Sequence, residues 1–108
     1  MGVKAAAPPA VGPPPRRRGS YQASQAELLA RFRRLNGQIS GIARMVEEER
    51  YCPEVLTQLS AAMAALESIG FILLREHIAH CVADGFRAGE GEAYLDELVA
   101  TIARFAGH

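Results

Sequence analysis

Residues 52–85 read CPEVLTQLSAAMAALESIGFILLREHIAHCVADG, and this run contains both cysteines of the 108-residue chain. Pro53 and Glu54 suit the first turn of a helix, because proline lacks an N–H and glutamate complements the positive end of the helix dipole. Apolar or small positions and one histidine then follow at heptad-like spacing: Leu56, Leu59, Met63, Leu66, Gly70, Leu73 and His77. The pattern predicts one long helix that ends near Asp84, with Gly85 as its C-terminal stop.

A helix is predicted on each side of this long one. Ser24-Gln25-Ala26-Glu27 is a capping-box pattern, so the first helix is expected from about Ser24 to Glu49. Its apolar positions are Leu28, Phe32, Leu35, Ile39, Ile42 and Val46. After Gly89 and Gly91 the third helix is expected from about Glu92 to Phe105, with Leu95, Leu98, Ile102 and Phe105 on one side. No strand pattern is present, so the predicted fold class is all-α with three helices per chain, in a helical domain covering residues 21–108.

Residues 1–20 have a different composition from the rest of the chain. They are rich in Pro, Ala and Gly and contain Arg16-Arg17-Arg18, which predicts a disordered basic tail. This segment lacks the apolar core of a signal peptide, and the strongly apolar run 69–74 is too short to span a membrane. Two cysteines do not make a disulfide framework. We therefore expect a cytoplasmic protein with free thiols and no membrane partner.

Charge is distributed unequally, although the formal net charge is zero. Residues 1–44 carry eight basic side chains and one acidic side chain, whereas residues 51–108 carry three basic and eight acidic ones. Such asymmetry indicates a surface that faces a polyanion. An ordinary solvent-exposed charged helix face explains the same pattern.

The predicted long helix is too long for a small monomer. About 32 residues extend roughly 48 Å at 1.5 Å per residue, whereas a compact domain of this size has a radius of gyration near 13 Å. Its wide apolar surface is expected to pair with a second chain in an antiparallel four-helix bundle, with further association beyond the dimer. The alternative is a monomer whose long helix breaks near Gly70.

Three side chains are the candidate metal ligands. His77 and Cys81 are four residues apart and share one helix face. Cys52 is 25 residues before His77, or roughly 37 Å along a helix, so only an antiparallel partner chain brings a Cys52 beside that pair. Two thiolates and one imidazole form a soft donor set that favours Cu(I), and the helix dipole at Cys52 favours the thiolate. His80 points about 100° away and is discounted as a fourth ligand.

Each of these residues also has an ordinary structural interpretation. A cysteine in an alanine-rich helix is commonly a small buried apolar residue. A histidine at such a position is commonly a hydrogen-bonded core residue. The spacing alone leaves both interpretations open.

The sequence resembles the CsoR-type copper-sensing repressors over about residues 21–105. The resemblance is carried by RFRRLNGQISGI from Arg31, MVEEERYC ending at Cys52, LTQLSA from Leu56, and LREHIAHCVAD from Leu74. It implies an antiparallel dimer that assembles as a dimer of dimers, a homotetramer, which binds operator DNA without metal and releases it on Cu(I) binding. Nickel/cobalt-, formaldehyde- and persulfide-responsive members have other ligand sets, so Cu(I) is the expected cofactor.

The resemblance also assigns roles to individual residues. Cys52, His77 and Cys81 match the metal ligands, and the family supplies the first from one subunit and the other two from its partner. Tyr51 and Glu97 match residues that contact the free side of the ligand imidazole. Arg31, Arg33 and Arg34 match basic residues that contact DNA, and Arg104 on the third helix is added to that prediction. Ser68 stands where many members carry a basic residue, and no helix-turn-helix is visible.

Two alternatives to a Cu(I)-responsive repressor stay open. A thiol-redox or persulfide-responsive repressor of the same family would use Cys52 and Cys81 without His77. A copper-buffering helical oligomer would bind metal but no DNA. An enzyme acting on a small-molecule substrate is not expected, because no acid–base constellation or cofactor motif is present.

Overall fold

Three helices make up the computed structural model, which describes residues 18–107. Helix α1 spans Gln25–Glu47, helix α2 is helical throughout Cys52–Arg87, and helix α3 spans Gly91–Ala106. No strand occurs in the described range, and the predicted all-α fold class is confirmed. The predicted disordered tail lies outside the described residues except for residues 18–20.

Helix α1 begins after Ser24, as predicted, but the capping box is not formed. Ser24 is the N-cap and its side chain makes no capping hydrogen bond. A 3₁₀ turn, Gln22–Ser24, leads into the helix. This turn gives Ser24 a ψ of 4° rather than the extended backbone that a capping side chain requires. The helix ends slightly earlier than predicted, and Glu49 turns the chain with a φ of 56°.

Helix α2 continues past the predicted stop. Gly85 is a buried residue inside the helix, so the prediction that it ends the helix was wrong. The terminating glycine is Gly89, whose φ is 81°. The N–H of Glu90 donates to the carbonyl of Gly85 over 2.7 Å, and the N–H of Gly89 donates to the carbonyl of Phe86 over 3.2 Å. This pair of bonds satisfies the last carbonyls of a helix that ends in a left-handed residue.

The chain divides into two units, and residues 21–75 form the first of them. Its core consists of residues spaced by seven along each helix: Leu28, Leu35 and Ile42 from α1, with Ala62 and Ile69 from α2. A spacing of seven keeps side chains on one helix face. The first unit is therefore a helical hairpin with one apolar layer between its two helices.

A second apolar face of α2 is left uncovered in this unit. Leu56, Leu59, Met63 and Leu66, which the sequence pattern placed at the centre of the packing face, are between 41% and 61% exposed. Helix α1 packs on the face of Ala62 and Ile69 instead, so the apolar face that was expected to pair with a second chain is uncovered in the single chain.

Helix α2 is also long and apolar enough to cross a membrane, although only 11% of its most apolar stretch is buried. One such helix is weak evidence for a membrane, because core helices of soluble proteins have the same length and composition. Several of its large apolar side chains are exposed in the single chain.

The second unit contains the described residues 18–20 and 76–107. Here α3 packs on the end of α2 through Ala93, Tyr94 and Leu98, all buried. Of the four residues expected on the packing side of α3, only Leu98 is buried, while Leu95, Ile102 and Phe105 are at least 36% exposed. Helix α3 therefore turns the face of Tyr94 toward α2 instead. The ring of Tyr94 lies directly over Gly85, where no Cβ fits.

Candidate metal centre and DNA-binding surface

The two candidate ligands on α2 lie in a π-helical segment, His77–Val82, rather than in the regular α-helix that the spacing predicted. A π-helix pairs residue i with residue i+5, so one of its turns holds more than four residues. His77 and Cys81 therefore lie within a single turn. Segments of this kind occur frequently at functional sites. The His77 side chain is half-buried and Cys81 is only 6% exposed.

Cys81 contacts a residue to which the sequence assigned no role. The Oγ of Ser20 lies 3.0 Å from the Sγ of Cys81. The same hydroxyl donates to the backbone carbonyl of Glu76 over 3.3 Å. Ser20 is the last residue of the segment predicted as a disordered tail, and nothing in its local sequence marks it. Only the fold brings a residue 61 positions away to the candidate ligand.

His80 is occupied elsewhere, which agrees with its exclusion from the ligand set. Its Nε2 lies 3.3 Å from Oε1 of Glu76, one turn earlier, and its side chain is 54% exposed. The neighbouring Cys81 is buried. The two side chains therefore have different surroundings, as their adjacent positions in a helix require.

Cys52 is the first residue of α2 and belongs to the unit formed by residues 21–75. Its thiol is free and exposed. The preceding Tyr51 is 72% exposed, and its carbonyl accepts the N–H of Glu54 over 2.9 Å. Cys52 thus stands in the first turn of the helix, at the positive end of its dipole.

The described part of one chain forms no three-ligand metal site by itself. Among residues 18–107, no group of three or more His, Cys, Asp or Glu side chains is placed to hold a metal ion. The donor set of one imidazole and two thiols still suits a soft ion such as Cu(I).

The predicted contacts to the ligand imidazole are not made within one chain. Tyr51 and Glu97 are both exposed. Within the described range, neither the ring of His77 nor the carboxylate of Glu97 takes part in a side-chain hydrogen bond or ion pair. The assignment of Tyr51 and Glu97 stays a prediction.

The predicted DNA contacts differ in their surroundings. Arg31 is paired with Glu27 one turn earlier, with Nη2 3.0 Å from Oε2. Arg33 and Arg34 are exposed on α1, Arg104 is exposed on α3, and none of the three forms an ion pair within residues 18–107. These three guanidinium groups are therefore available to phosphate, whereas Arg31 would first have to leave Glu27.

Most of the chain matches a known family of regulators. The profile of the metal-sensitive transcriptional repressors matches residues 24–104. The chain belongs to this family. The match covers every candidate ligand and all four predicted arginine contacts. It confirms the resemblance noted in the sequence and identifies a metal-responsive transcriptional repressor rather than an enzyme.

Individual members of the family agree with this assignment. The copper-sensing transcriptional repressor RicR of Mycobacterium tuberculosis is 46% identical over 88 residues, which are 78% of this chain and 90% of RicR. The copper-sensing transcriptional repressor CsoR of Bacillus subtilis is 40% identical over 79 residues, 73% of this chain and 78% of its own. The crystal structure of CsoR with Cu(I) from Geobacillus thermodenitrificans superimposes with a TM-score of 0.72 at 38% identity, covering 94% of this chain and 98% of that one.

Proposed function

We propose that this repressor binds operator DNA in its metal-free form and releases it when Cu(I) binds to Cys52 of one chain and to His77 and Cys81 of another. The observation that carries the proposal is the placement of an imidazole and a thiol within one π-turn of α2. Soft thiolate ligands select Cu(I) over harder divalent ions. The related CsoR solved with Cu(I), which shares this fold, supports the choice of metal.

The uncovered face of α2 supports the assembly that this site needs. Leu56, Leu59 and Met63 are exposed in the single chain, and burying a side chain of this kind contributes about 1.5–3 kcal/mol. A second copy of α2 packed antiparallel on this face brings the Cys52 end of one helix beside the His77 end of the other. The pairing creates two equivalent sites in a four-helix-bundle dimer. We propose that two such dimers form a homotetramer in the cytoplasm, which also accounts for the exposed apolar surface of α2 without a membrane.

Tyr51 and Glu97 are proposed to act on the ligand imidazole. When one nitrogen of His77 binds a metal, the other carries a hydrogen and needs an acceptor that fixes the ring. Glu97 lies on α3, in the same unit as His77, and Tyr51 directly precedes Cys52. A bond from His77 to Glu97 would give α3 different contacts in the metal-bound and metal-free forms, which is the differential interaction that a switch requires.

The proposal is tested by measuring DNA affinity and metal binding on the same sample. Reduced, metal-free protein is mixed with fluorescent DNA from upstream of its own coding region, and anisotropy is followed while Cu(I) is added. We expect the metal-free protein to bind this DNA tightly. At one Cu(I) per chain its DNA affinity should fall by about 5- to 150-fold, the range of typical allosteric coupling. Unchanged DNA affinity with saturating Cu(I) contradicts the proposal.

Two further outcomes identify the alternatives. If the metal-free protein does not retard this DNA at low salt, the chain acts as a copper-buffering oligomer. If His77→Ala leaves the response to its inducer intact, the repressor responds to thiol oxidation or persulfide through Cys52 and Cys81.

The DNA-binding surface is expected to include Arg33 and Arg34. We predict that Arg33→Ala and Arg34→Ala each weaken DNA binding by the metal-free protein without changing its Cu(I) affinity. The dependence of log K on log salt should become shallower by about 0.9 for each phosphate that is no longer neutralised. Arg87→Ala is the matched control, because Arg87 is an exposed arginine that pairs with Asp84 on α2 over 2.6 Å and lies outside the predicted surface. An equally weakened control variant would contradict the assignment to α1.

A further inference from the structure

We propose that Ser20 is a positioning residue for Cys81, and that metal binding at Cys81 displaces it together with the segment that precedes α1. The inference rests on the proposed metal site and adds to it a connection between the ligand and the residues beside the basic tail. It starts from one hydroxyl group that contacts two atoms of the same helical turn. These atoms are the Sγ of Cys81 at 3.0 Å and the backbone oxygen of Glu76 at 3.3 Å.

The double contact depends on the π-helical segment. Glu76 and Cys81 are five residues apart, and in a regular α-helix such residues point about 140° away from each other. In a π-helix residue i+5 stacks over residue i, because its N–H bonds to that carbonyl. A single hydroxyl can then reach the carbonyl of the first residue and the side chain of the second. The double contact of Ser20 therefore requires the π-helical arrangement of Glu76 and Cys81.

A serine hydroxyl has one hydrogen to donate, and a backbone carbonyl only accepts. When that hydrogen bonds to the Glu76 carbonyl, the Ser20 oxygen accepts the hydrogen of the Cys81 thiol. A sulfur bound to copper has no hydrogen to donate. This arrangement belongs to the metal-free chain. A metal-bound Cys81 keeps Ser20 only if the hydroxyl turns its hydrogen from the Glu76 carbonyl to the sulfur, and the proposal is that Ser20 leaves instead.

Displacement of Ser20 has a consequence for the adjoining segment. Ser20 is half-buried and follows Arg18 and Gly19, both of which are exposed. Arg16 and Arg17 come directly before them in the sequence. While Ser20 contacts α2, the positions of its described neighbours Arg18 and Gly19 are restricted. Release of Ser20 changes where Arg18 can reach, and arginine is a residue of the kind that contacts phosphate.

The contact is tested first without copper. In a Cys52→Ser background Cys81 is the sole thiol of the chain, and its rate of alkylation by iodoacetamide reports the exposure and hydrogen bonding of its sulfur. We expect Ser20→Ala to raise this rate about fivefold, the equivalent of one neutral hydrogen bond, and Ser20→Thr, which keeps the hydroxyl, to restore slow alkylation. Ser60→Ala, an exposed serine on α2, is the matched control. Equal rates in Ser20→Ala and Ser60→Ala would overturn the proposed contact.

The displacement is tested on the otherwise unmodified protein. Limited trypsin cleavage at the Arg18–Gly19 bond is followed by mass spectrometry, since a protease must draw Ser20 into its cleft. We expect slow cleavage without metal, and fast cleavage with one Cu(I) per chain or in Ser20→Ala. Cleavage that is unchanged by Cu(I) while the thiolate-to-copper absorption band shows full occupancy would overturn the displacement and leave the metal site standing. Absence of that band would contradict the metal site itself, so the two failures are distinguishable.

Discussion

Replacing Cys81 with Ala is expected to abolish the response to Cu(I) while the metal-free protein still binds its operator. Cys81 supplies one of three proposed ligands, and removal of even an outer partner of a metal ligand commonly lowers metal affinity 10- to 100-fold. We therefore expect Cu(I) affinity to fall by more than about 100-fold. DNA binding should persist because Cys81 is a buried side chain and is not one of the exposed arginines that are predicted to contact DNA. The measurement is a Cu(I) titration that follows the ultraviolet thiolate-to-copper band and DNA anisotropy together.

A mixing experiment tests whether the site joins two chains. Cys52→Ala and Cys81→Ala proteins are each expected to bind no Cu(I) at the site. In a dimer of one Cys52→Ala chain and one Cys81→Ala chain, the first supplies His77 and Cys81 and the second supplies Cys52, so one of two sites is intact. When equal amounts pair at random, about half of the dimers are mixed, and each of these has one intact site of two. About one quarter of the wild-type sites should therefore return. If subunit exchange is shown to be complete and no binding returns, the ligands do not come from different chains.

Replacing Gly85 with Ala is expected to lower the free energy of unfolding by about 2 kcal/mol, within the usual range for overpacking a buried site. A Cβ at this position would overlap the ring of Tyr94, which is only 3% exposed. Tyr94 must then move, which disrupts the principal buried packing between α3 and α2. Urea denaturation at a fixed protein concentration measures the change, since the stability of an oligomer depends on concentration.

A control and a double variant make this prediction specific. At Gly37 an added Cβ meets nothing within 4 Å, so Gly37→Ala should stabilise helix α1 by up to about 1 kcal/mol through helix propensity. The double variant Gly85→Ala with Tyr94→Leu should recover part of the stability, because leucine lacks the ring edge that clashes. A simple sum of the two single effects would show that Gly85 and Tyr94 do not interact.

For the candidate metal site, the sequence predicted the types of donor atom and their spacing along the helix. The spacing of His77 and Cys81 placed them on one face of a helix, and the distance along the helix to Cys52 called for a second chain. Within residues 18–107 no three-ligand group is formed, and the site shared by two chains stays a prediction. Ser20 was not predicted, because it lies far from Cys81 in the sequence and carries no motif.

Local patterns were sufficient for the helices themselves. The capping position at Ser24, the proline at position 53 and the heptad spacing act over a few residues, so they indicated the class, number and approximate bounds of the helices. One local expectation failed where a tertiary contact intervened. Gly85 was expected to end α2, yet the ring of Tyr94 covers it and the helix continues.

The order of residues along the chain therefore determined an all-helical repressor with two thiols and an imidazole suited to a soft metal. Periodicity and donor type are properties of neighbouring residues and need no fold to be recognised. Tertiary structure alone decided which of the two apolar faces of α2 is buried within the chain, the π-helical turn that holds His77 and Cys81, and the contact of Ser20 with Cys81. These features depend on side chains that are distant in sequence competing for the same space, and no local pattern encodes the outcome of that competition.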